Sequence, residues 1–240
     1  MKLRRSVYVV GGAHTVYLGK GHPDFVREPS DERRNPTLEE HLHRAIRALL
    51  TDTGVDAAAI DKGYVGNFCG ELFAAQGHLG AMAAAAHPGL AGKPWARVEG
   101  ACASGGLAVT ACIDALQGFA DVALAAGVEV ETTAPGKVVA DYIARASHYQ
   151  TQGRLSRQVF PHLFARRARH YKEAFGATDE DLGRVVVKAY ENAHHNPYAQ
   201  MRKDFGFDFC RNESEKNPFV AGPLKRTDCS LVSDGAAALV

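Results

Sequence analysis

The chain has 240 residues, of which 46% are hydrophobic and 23% are charged, and its formal net charge is +1. These fractions are close to the averages of globular proteins, and the length allows one large domain or two small ones. A net charge this close to zero argues against a bulk electrostatic affinity for nucleic acid or for an anionic membrane.

Nothing in the sequence predicts membrane insertion, secretion or a metal centre. No window of 18 apolar residues occurs, so we expect no membrane-spanning helix. The apolar run near the N-terminus is too short for the core of a signal peptide. An odd number of cysteines without a C-x-x-C pair argues against a disulfide framework or a zinc site and favours a reducing, cytoplasmic location. The cysteines are Cys69, Cys102, Cys112, Cys210 and Cys229.

The first 130 residues alternate between strand and helix patterns. Thr37 has the pattern of an N-cap, and apolar residues on one helix face follow it as far as Gly54. The resulting order, βαβαβαβ, favours a mostly parallel sheet layered with helices. In chain order we predict a strand at Val7–Val10, a helix at 38–54, a strand at Tyr64–Phe68, a helix at Ala74–Ala86 that His87-Pro88-Gly89 stops, a strand at Trp95–Glu99, a helix at Cys102–Leu116 and a strand at Val122–Val130.

From about Thr132 the sequence becomes richer in aromatic, arginine and histidine residues. Two charged, amphipathic helices are predicted at Pro161–Phe175 and Asp179–His194. The small apolar residues of the first part return at Leu231–Val240, so we interpret the stretch between as an insertion between strands. The apolar end of the chain favours the hypothesis that the sequence is one half of a larger protein.

The segment around Cys102 is the strongest candidate for chemistry. A predicted strand leads through Gly100 and Ala101 into a helix that begins at this cysteine. A helix N-terminus stabilises the thiolate, which is the nucleophilic form, and the small neighbours leave room for a substrate. The alternative is a small buried cysteine in the core. The strand–turn–helix context favours a nucleophile.

Several motifs carry a resemblance to the thiolase superfamily, and they occur in the right order over nearly the whole chain. Cys102–Ala108 matches the nucleophile pattern C-A-S-G-x-x-A, and Ser233–Ala238 resembles the S/N-D-G-A-A-A signature. Asn196–Gln200 and Val187-Lys188 resemble the insertion of the sterol-carrier-protein-type thiolases and their bacterial relatives. We also predict that Asp234-Gly235 forms a tight turn.

The resemblance implies an α/β fold: the N-terminal half of a thiolase, with a five-stranded mixed sheet layered with helices and an inserted, mostly helical loop domain that covers the coenzyme A site. Residues 1–132 would form strands 1–4 of the core, residues 133–227 the loop domain, and residues 228–240 the fifth strand. The C-terminal half of the fold would be absent from this chain.

The resemblance also implies a reaction in which Cys102 attacks an acyl-CoA, forms an acyl-enzyme, and uses its own backbone N–H in an oxyanion hole. The histidine, the asparagine or histidine, and the second cysteine that complete the family's catalytic set match no position here. We interpret His87 as part of a helix stop and Cys112 as a core residue. Cys69, Cys210 and Cys229 match no acid/base motif.

Candidates for substrate contacts are weaker. Ser230 lies where some thiolases place a serine that contacts coenzyme A, although a loop serine is an equal alternative. Lys225 and Arg226 suit the phosphates of coenzyme A, although a solvated surface is the competing interpretation. The adjacent pair His194 and His195 lacks a third ligand, so we predict no metal site. The same two interpretations, a phosphate contact or a solvated surface, apply to a basic run on the first predicted helix of the insertion: Arg166, Arg167, Arg169 and His170.

Two functions compete at this point. The first is an acyltransferase that makes or cleaves 3-oxoacyl-CoA in lipid metabolism, with acyl-CoA and coenzyme A as substrates and no bound cofactor. A homodimer or tetramer, a separate C-terminal half or a small zinc-ribbon/OB-fold protein would be its partners. The second is a non-catalytic thiolase-like subunit that binds acyl-CoA or another chain.

Overall fold

The computed structural model describes residues 3–240 and divides them into two compact units. The first, here the sheet unit, contains residues 3–20, Asp24–Ala134 and Ser233–Val240. The second, here the helical unit, contains Gly21–Pro23 and Pro135–Val232.

Seven strands and eight α-helices lie in the described residues. In chain order they are β1 (Gly12–His14), α1 (Leu38–Thr53), β2 (Lys62–Gly66), α2 (Gly70–Phe73), α3 (Leu79–Ala84), β3 (Trp95–Val98), α4 (Ser104–Leu116), β4 (Ala123–Glu129), α5 (Gly136–Ile143), α6 (Val159–Phe175), α7 (Asp179–His194), α8 (Phe207–Arg211), β5 (Phe219–Ala221), β6 (Leu224–Lys225) and β7 (Gly235–Leu239).

The sheet unit is built on one five-stranded mixed sheet in the order β1-β7-β4-β2-β3. The three strands β4, β2 and β3 are parallel, with Tyr64 opposite Ala96 on one side and Ala125 on the other. Strand β7 runs antiparallel to β4 and to β1, and Gly127 lies opposite Ala237. The predicted mixed sheet is therefore confirmed, and the parallel part is limited to the strands that helices connect.

Helix α1 covers one face of this sheet. Its start is a reciprocal capping box: the Glu40 N–H donates to the Thr37 hydroxyl at 3.2 Å, and the Thr37 N–H donates to the Glu40 carboxylate at 2.8 Å. Its end is Gly54, which adopts the left-handed conformation. The predicted ends are thus confirmed. The buried side chains of α1, including Leu42, Ile46 and Leu49, form the main core with β4 and β7.

Helix α4 lies over the parallel strands in a second, smaller cluster, where Ala108 and Cys112 contact Ala123 and Ala125. The helix is apolar around most of its circumference, a pattern typical of helices buried on all sides. Its opposite face is open in this chain, and the Leu107 side chain is 40% exposed.

Two predictions for local structure in the sheet unit are wrong. Val7–Val10 is not a buried strand: Tyr8 and Val9 are 78% and 71% exposed, because this segment precedes β1 at the sheet edge, where only β7 is a neighbour. The helix expected at Ala74–Ala86 is shortened to α3 (Leu79–Ala84), because Ala75 and His78 adopt positive φ values of 51° and 35°, which an α-helix excludes.

The helical unit contains α5 to α8 and the two-stranded hairpin β5-β6. The two predicted long helices correspond to α6 and α7, and α7 begins with a capping box between Thr178 and Asp181. Helix α7 packs against α8, and α6 packs against the hairpin. Between α7 and α8, the ring of Phe205 lies 4.9 Å from that of Tyr190 and 5.0 Å from that of Phe209, centroid to centroid.

The chain returns to the sheet unit at Ser233 and not at the expected residue 228. Residues Arg226–Asp228 form a 3₁₀ turn that belongs to the hairpin. The Thr227 N–H donates to the side-chain oxygen of buried Asn217 at 3.0 Å, and the Lys225 ammonium pairs with Asp228 at 3.0 Å. These bonds hold residues 225–228 in the helical unit.

Candidate active site

Cys102 occupies a sharp connection between β3 and α4. After β3 the chain passes through Gly100 and Ala101, and a 3₁₀ turn over Ala101–Ala103 leads directly into α4. The predicted strand–turn–helix arrangement is therefore present, although the cysteine lies in the 3₁₀ turn and the α-helix begins two residues later. Ala101 has a φ of 51°, a conformation that side chains with a Cβ disfavour.

The Cys102 side chain is exposed, which distinguishes it from most of the other cysteines. Cys69, Cys112 and Cys210 are buried, and burial raises the pKa of the Cys112 thiol to about 12. The core position predicted for Cys112 is confirmed by its 6% exposure. None of the five cysteines is in a disulfide. Cys102 therefore combines access to a reactant with a position at the start of a helix.

The first turn of α4 rests directly on the ends of two parallel strands. A Cβ added to Gly66, the last residue of β2, would lie 2.3 Å from the Ser104 carbonyl oxygen. The Cα of Gly105 lies 3.8 Å from the position of a Cβ on Gly127 of β4. Close backbone packing at these glycines therefore sets the height of α4, and with it that of Cys102, above the sheet.

Acidic side chains collect where β4 ends. Asp234 is 1% exposed and accepts hydrogen bonds from the Glu131 N–H at 2.7 Å, the Thr132 N–H at 3.0 Å and the Thr132 hydroxyl at 2.6 Å. Burial, followed by the charges of Glu129 and Asp234, raises the pKa of Glu131 to about 7. Asp234-Gly235 is not a tight turn: Asp234 bridges to Leu18, and β7 begins at Gly235.

Hydrogen bonds link the end of β2 to the end of β4 through side chains that no sequence motif indicated. The Asn67 amide donates to the Val128 carbonyl at 2.8 Å, and its oxygen accepts from the Gly70 N–H at 3.0 Å. Glu129 accepts a hydrogen bond from the Phe68 N–H, and burial raises the pKa of its carboxyl group. The sequence offered one signal for Asn67 and Glu129: both lie at the ends of predicted parallel strands, and the carboxyl ends of such strands meet at one edge of a sheet.

The remaining candidates have diverse environments. Arg226 and Ser230 are exposed residues of the helical unit, whereas Cys102 belongs to the sheet unit. Lys225 is not available to a phosphate, because it is 1% exposed and paired with Asp228. His87 is the N-cap of a short 3₁₀ helix and accepts the Gly89 N–H at 3.1 Å, whereas α3 has already ended at Ala84. Over residues 3–240, no group of three or more His, Cys, Asp or Glu side chains is arranged to hold a metal ion.

The chain belongs to the thiolase family, since a family model described as "Thiolase, N-terminal domain" matches residues 25–240. The acetyl-CoA acetyltransferase of Methanothermobacter thermautotrophicus is 39% identical over 205 residues, which are 85% of this chain and 51% of that protein. The benzoylsuccinyl-CoA thiolase subunit BbsB of Thauera aromatica is 30% identical over 100% of this chain and 56% of its own length.

Solved structures agree with the fold. The chain of a structure titled "Ltp2-ChsH2(DUF35) aldolase" matches with a TM-score of 0.72 at 20% sequence identity, over 96% of this chain and 54% of that one. The chain spans about half the length of the two curated relatives described above. Among the described helices, none is long and apolar enough to cross a membrane.

Proposed function

We propose that the protein to which this chain contributes is a thiolase-type acyl-CoA acyltransferase in which Cys102 carries the acyl group. The observation that supports this most directly is the exposed thiol on the β3–α4 elbow, in a chain that belongs to the thiolase family and is similar to acetyl-CoA acetyltransferases. No observation specifically favours the non-catalytic alternative.

In the proposed reaction, the Cys102 thiolate attacks the carbonyl carbon of an acyl thioester. A new carbon–sulfur bond forms, the bond between the acyl carbon and the coenzyme A sulfur breaks, and the coenzyme A thiolate leaves and takes up a proton. The acyl group then passes to a second thiol or to a carbanion, which regenerates the cysteine. Hydrogen-bond donors at the elbow, the backbone N–H of Cys102 among them, would stabilise the negative oxygen of the tetrahedral intermediate.

We propose that a second half of the whole protein supplies the groups that move protons. This chain covers only 51% and 56% of the lengths of the two relatives described above. The open apolar face of α4, with Leu107 40% exposed, is suited to burial beneath such a half.

The substrate would be an acyl-CoA, and we propose that exposed Arg226 and Ser230 contact its coenzyme A portion. Because the relatives include a thiolase subunit and a structure titled as a complex of two components, we propose further that the protein self-associates or works with a small partner. A cytoplasmic location suits the exposed thiol, and a role in lipid metabolism follows from the proposed substrate.

Intact-mass spectrometry after incubation with acetyl-CoA or acetoacetyl-CoA tests the proposed nucleophile. We expect one acyl adduct per chain, lost in Cys102→Ala and retained in Cys229→Ala, which removes the partly buried cysteine of the helical unit. A folded chain that gains no adduct, or whose adduct survives in Cys102→Ala, would contradict the proposal and would favour a non-catalytic subunit.

A further inference from the structure

The residue directly before the proposed nucleophile has an unfavourable backbone conformation. Ala101 lies in the left-handed region with a φ of 51°, where a Cβ contacts the following carbonyl group. Non-glycine residues keep such conformations only when their surroundings hold them. The direction in which the chain enters residue 102 therefore depends on the groups that bind Ala101.

Both backbone polar groups of Ala101 are held by side chains. Its carbonyl oxygen accepts hydrogen bonds from the Ser104 hydroxyl at 2.7 Å and from the Ser104 N–H, and its own N–H donates to the Glu99 carboxylate at 2.5 Å. The Ser104 hydroxyl also accepts from the Gly100 N–H at 3.0 Å. Ser104 is only 5% exposed, so water does not compete freely for the two bonds of its hydroxyl.

The hydrogen bonds of the Ser104 hydroxyl go to residues 100 and 101 of the preceding turn and not to the N–H groups of α4. The N-cap residue of α4, Ala103, makes no side-chain capping bond. The contact of Gly66 with the first turn of α4 is made by backbone atoms, so removing the Ser104 hydroxyl leaves those atoms in place.

We propose that Ser104 is a positioning residue for Cys102. Its hydroxyl holds Ala101 in the left-handed conformation and thereby directs the Cys102 thiol toward the substrate. Ser104 touches no reacting atom in this proposal. The inference rests on the proposed function, because it assigns a purpose to the geometry of the nucleophile.

Alkylation by iodoacetamide measures the presentation of the thiol without any acyl-CoA. Ser104→Ala is expected to reduce the rate at Cys102 about tenfold, because a relaxed turn would move the thiol away from the N-terminal end of α4, where the reactive thiolate form is stabilised. Mass mapping of the buried Cys69, Cys112 and Cys210 is the internal control, since they react only if the chain unfolds.

Two further variants separate positioning from a general structural role. Ser104→Thr keeps the hydroxyl and is expected to keep the rate within about threefold of the unmodified chain. Ala101→Gly combined with Ser104→Ala is expected to recover most of the loss, because glycine adopts the left-handed conformation without a steric cost. A serine that merely packs in the core would not be rescued by a glycine three residues earlier.

The rates of the variants test the positioning role of Ser104, and the acyl adduct of the unmodified chain tests the proposed function. An unchanged rate in Ser104→Ala overturns the positioning role, and so does a loss that Ala101→Gly fails to rescue, including a failure of both variants to fold. Absence of an acyl adduct on the unmodified chain contradicts the proposed function instead. In that case the alkylation rates still decide whether Ser104 controls the thiol.

Discussion

Gly66 provides the most direct test of how the sheet positions the candidate nucleophile. In Gly66→Ala, the new Cβ would lie 2.3 Å from the Ser104 carbonyl oxygen, 2.5 Å from the Ser104 carbonyl carbon and 2.7 Å from the Gly105 nitrogen. Ordinary contacts between such atoms begin near 3.5 Å. The helix must therefore move away from β2 by about 1 Å, because all three atoms are backbone and no side-chain rotation relieves the overlap.

Overpacking of a core typically costs about 1–3 kcal/mol, and a clash with backbone atoms belongs at the upper end of this range. We therefore expect Gly66→Ala to lower the free energy of unfolding by about 3 kcal/mol. Gly106→Ala is the matched control: its Cβ would meet no atom within 4 Å, and alanine stabilises a helix interior by about 0.5–1 kcal/mol over glycine. Urea unfolding followed by the fluorescence of Trp95, the single tryptophan, reports on the sheet unit. If Gly66→Ala were as stable as the unmodified chain, the argument that this contact sets the position of α4 would be wrong.

Two further predictions concern the acidic residues at the end of β4. The pKa of Glu131 is raised to about 7 in the fold from an ordinary value of 4.5, so its contribution to stability is lost as the pH rises between these values. Glu131→Gln should therefore raise the melting temperature more at pH 8 than at pH 5, and an equal gain at both would refute the assigned shift. Asp234→Ala would leave two N–H groups and the Thr132 hydroxyl without their acceptor. The free energy of unfolding, measured in urea, should therefore fall by about 3 kcal/mol or more, and Asp234→Asn should show a smaller loss. Equal stability of Asp234→Ala and the unmodified chain would show that this carboxylate does not hold the end of β4.

Local features of this fold were predictable from the sequence, and features that depend on distant residues were not. The ends of α1 were predictable because Thr37 and Gly54 act on backbone groups within one helical turn. The three parallel strands were located, but β2 begins and ends two residues before its prediction, because the limits of a strand are set by the neighbouring strands of the sheet. The helix predicted at Ala74–Ala86 failed because composition does not reveal that Ala75 and His78 leave the helical region.

The candidate site shows the same division. Cys102 stood out because its motif, its small neighbours and the following helix are consecutive in the chain. The Ser104 hydroxyl belongs to the same motif, but its hydrogen bonds to residues 100 and 101 emerged only from the folded turn. Lys225 was expected either to contact the phosphates of coenzyme A or to lie on a solvated surface, and the structure shows a buried ion pair with Asp228 instead.

By itself, the sequence determined the alternation of strands and helices, the ends of the best-capped helices and the identity of the candidate nucleophile. Each of these depends on residues within a few positions of one another, where propensity and capping operate. Only the tertiary structure decided which strands are neighbours, that β7 runs antiparallel to β4, and that Asp234 holds the backbone of Glu131 and Thr132. The physical reason is that these contacts join residues far apart in the sequence, such as Glu131 and Asp234, and burial and hydrogen-bond satisfaction across the fold select the partner.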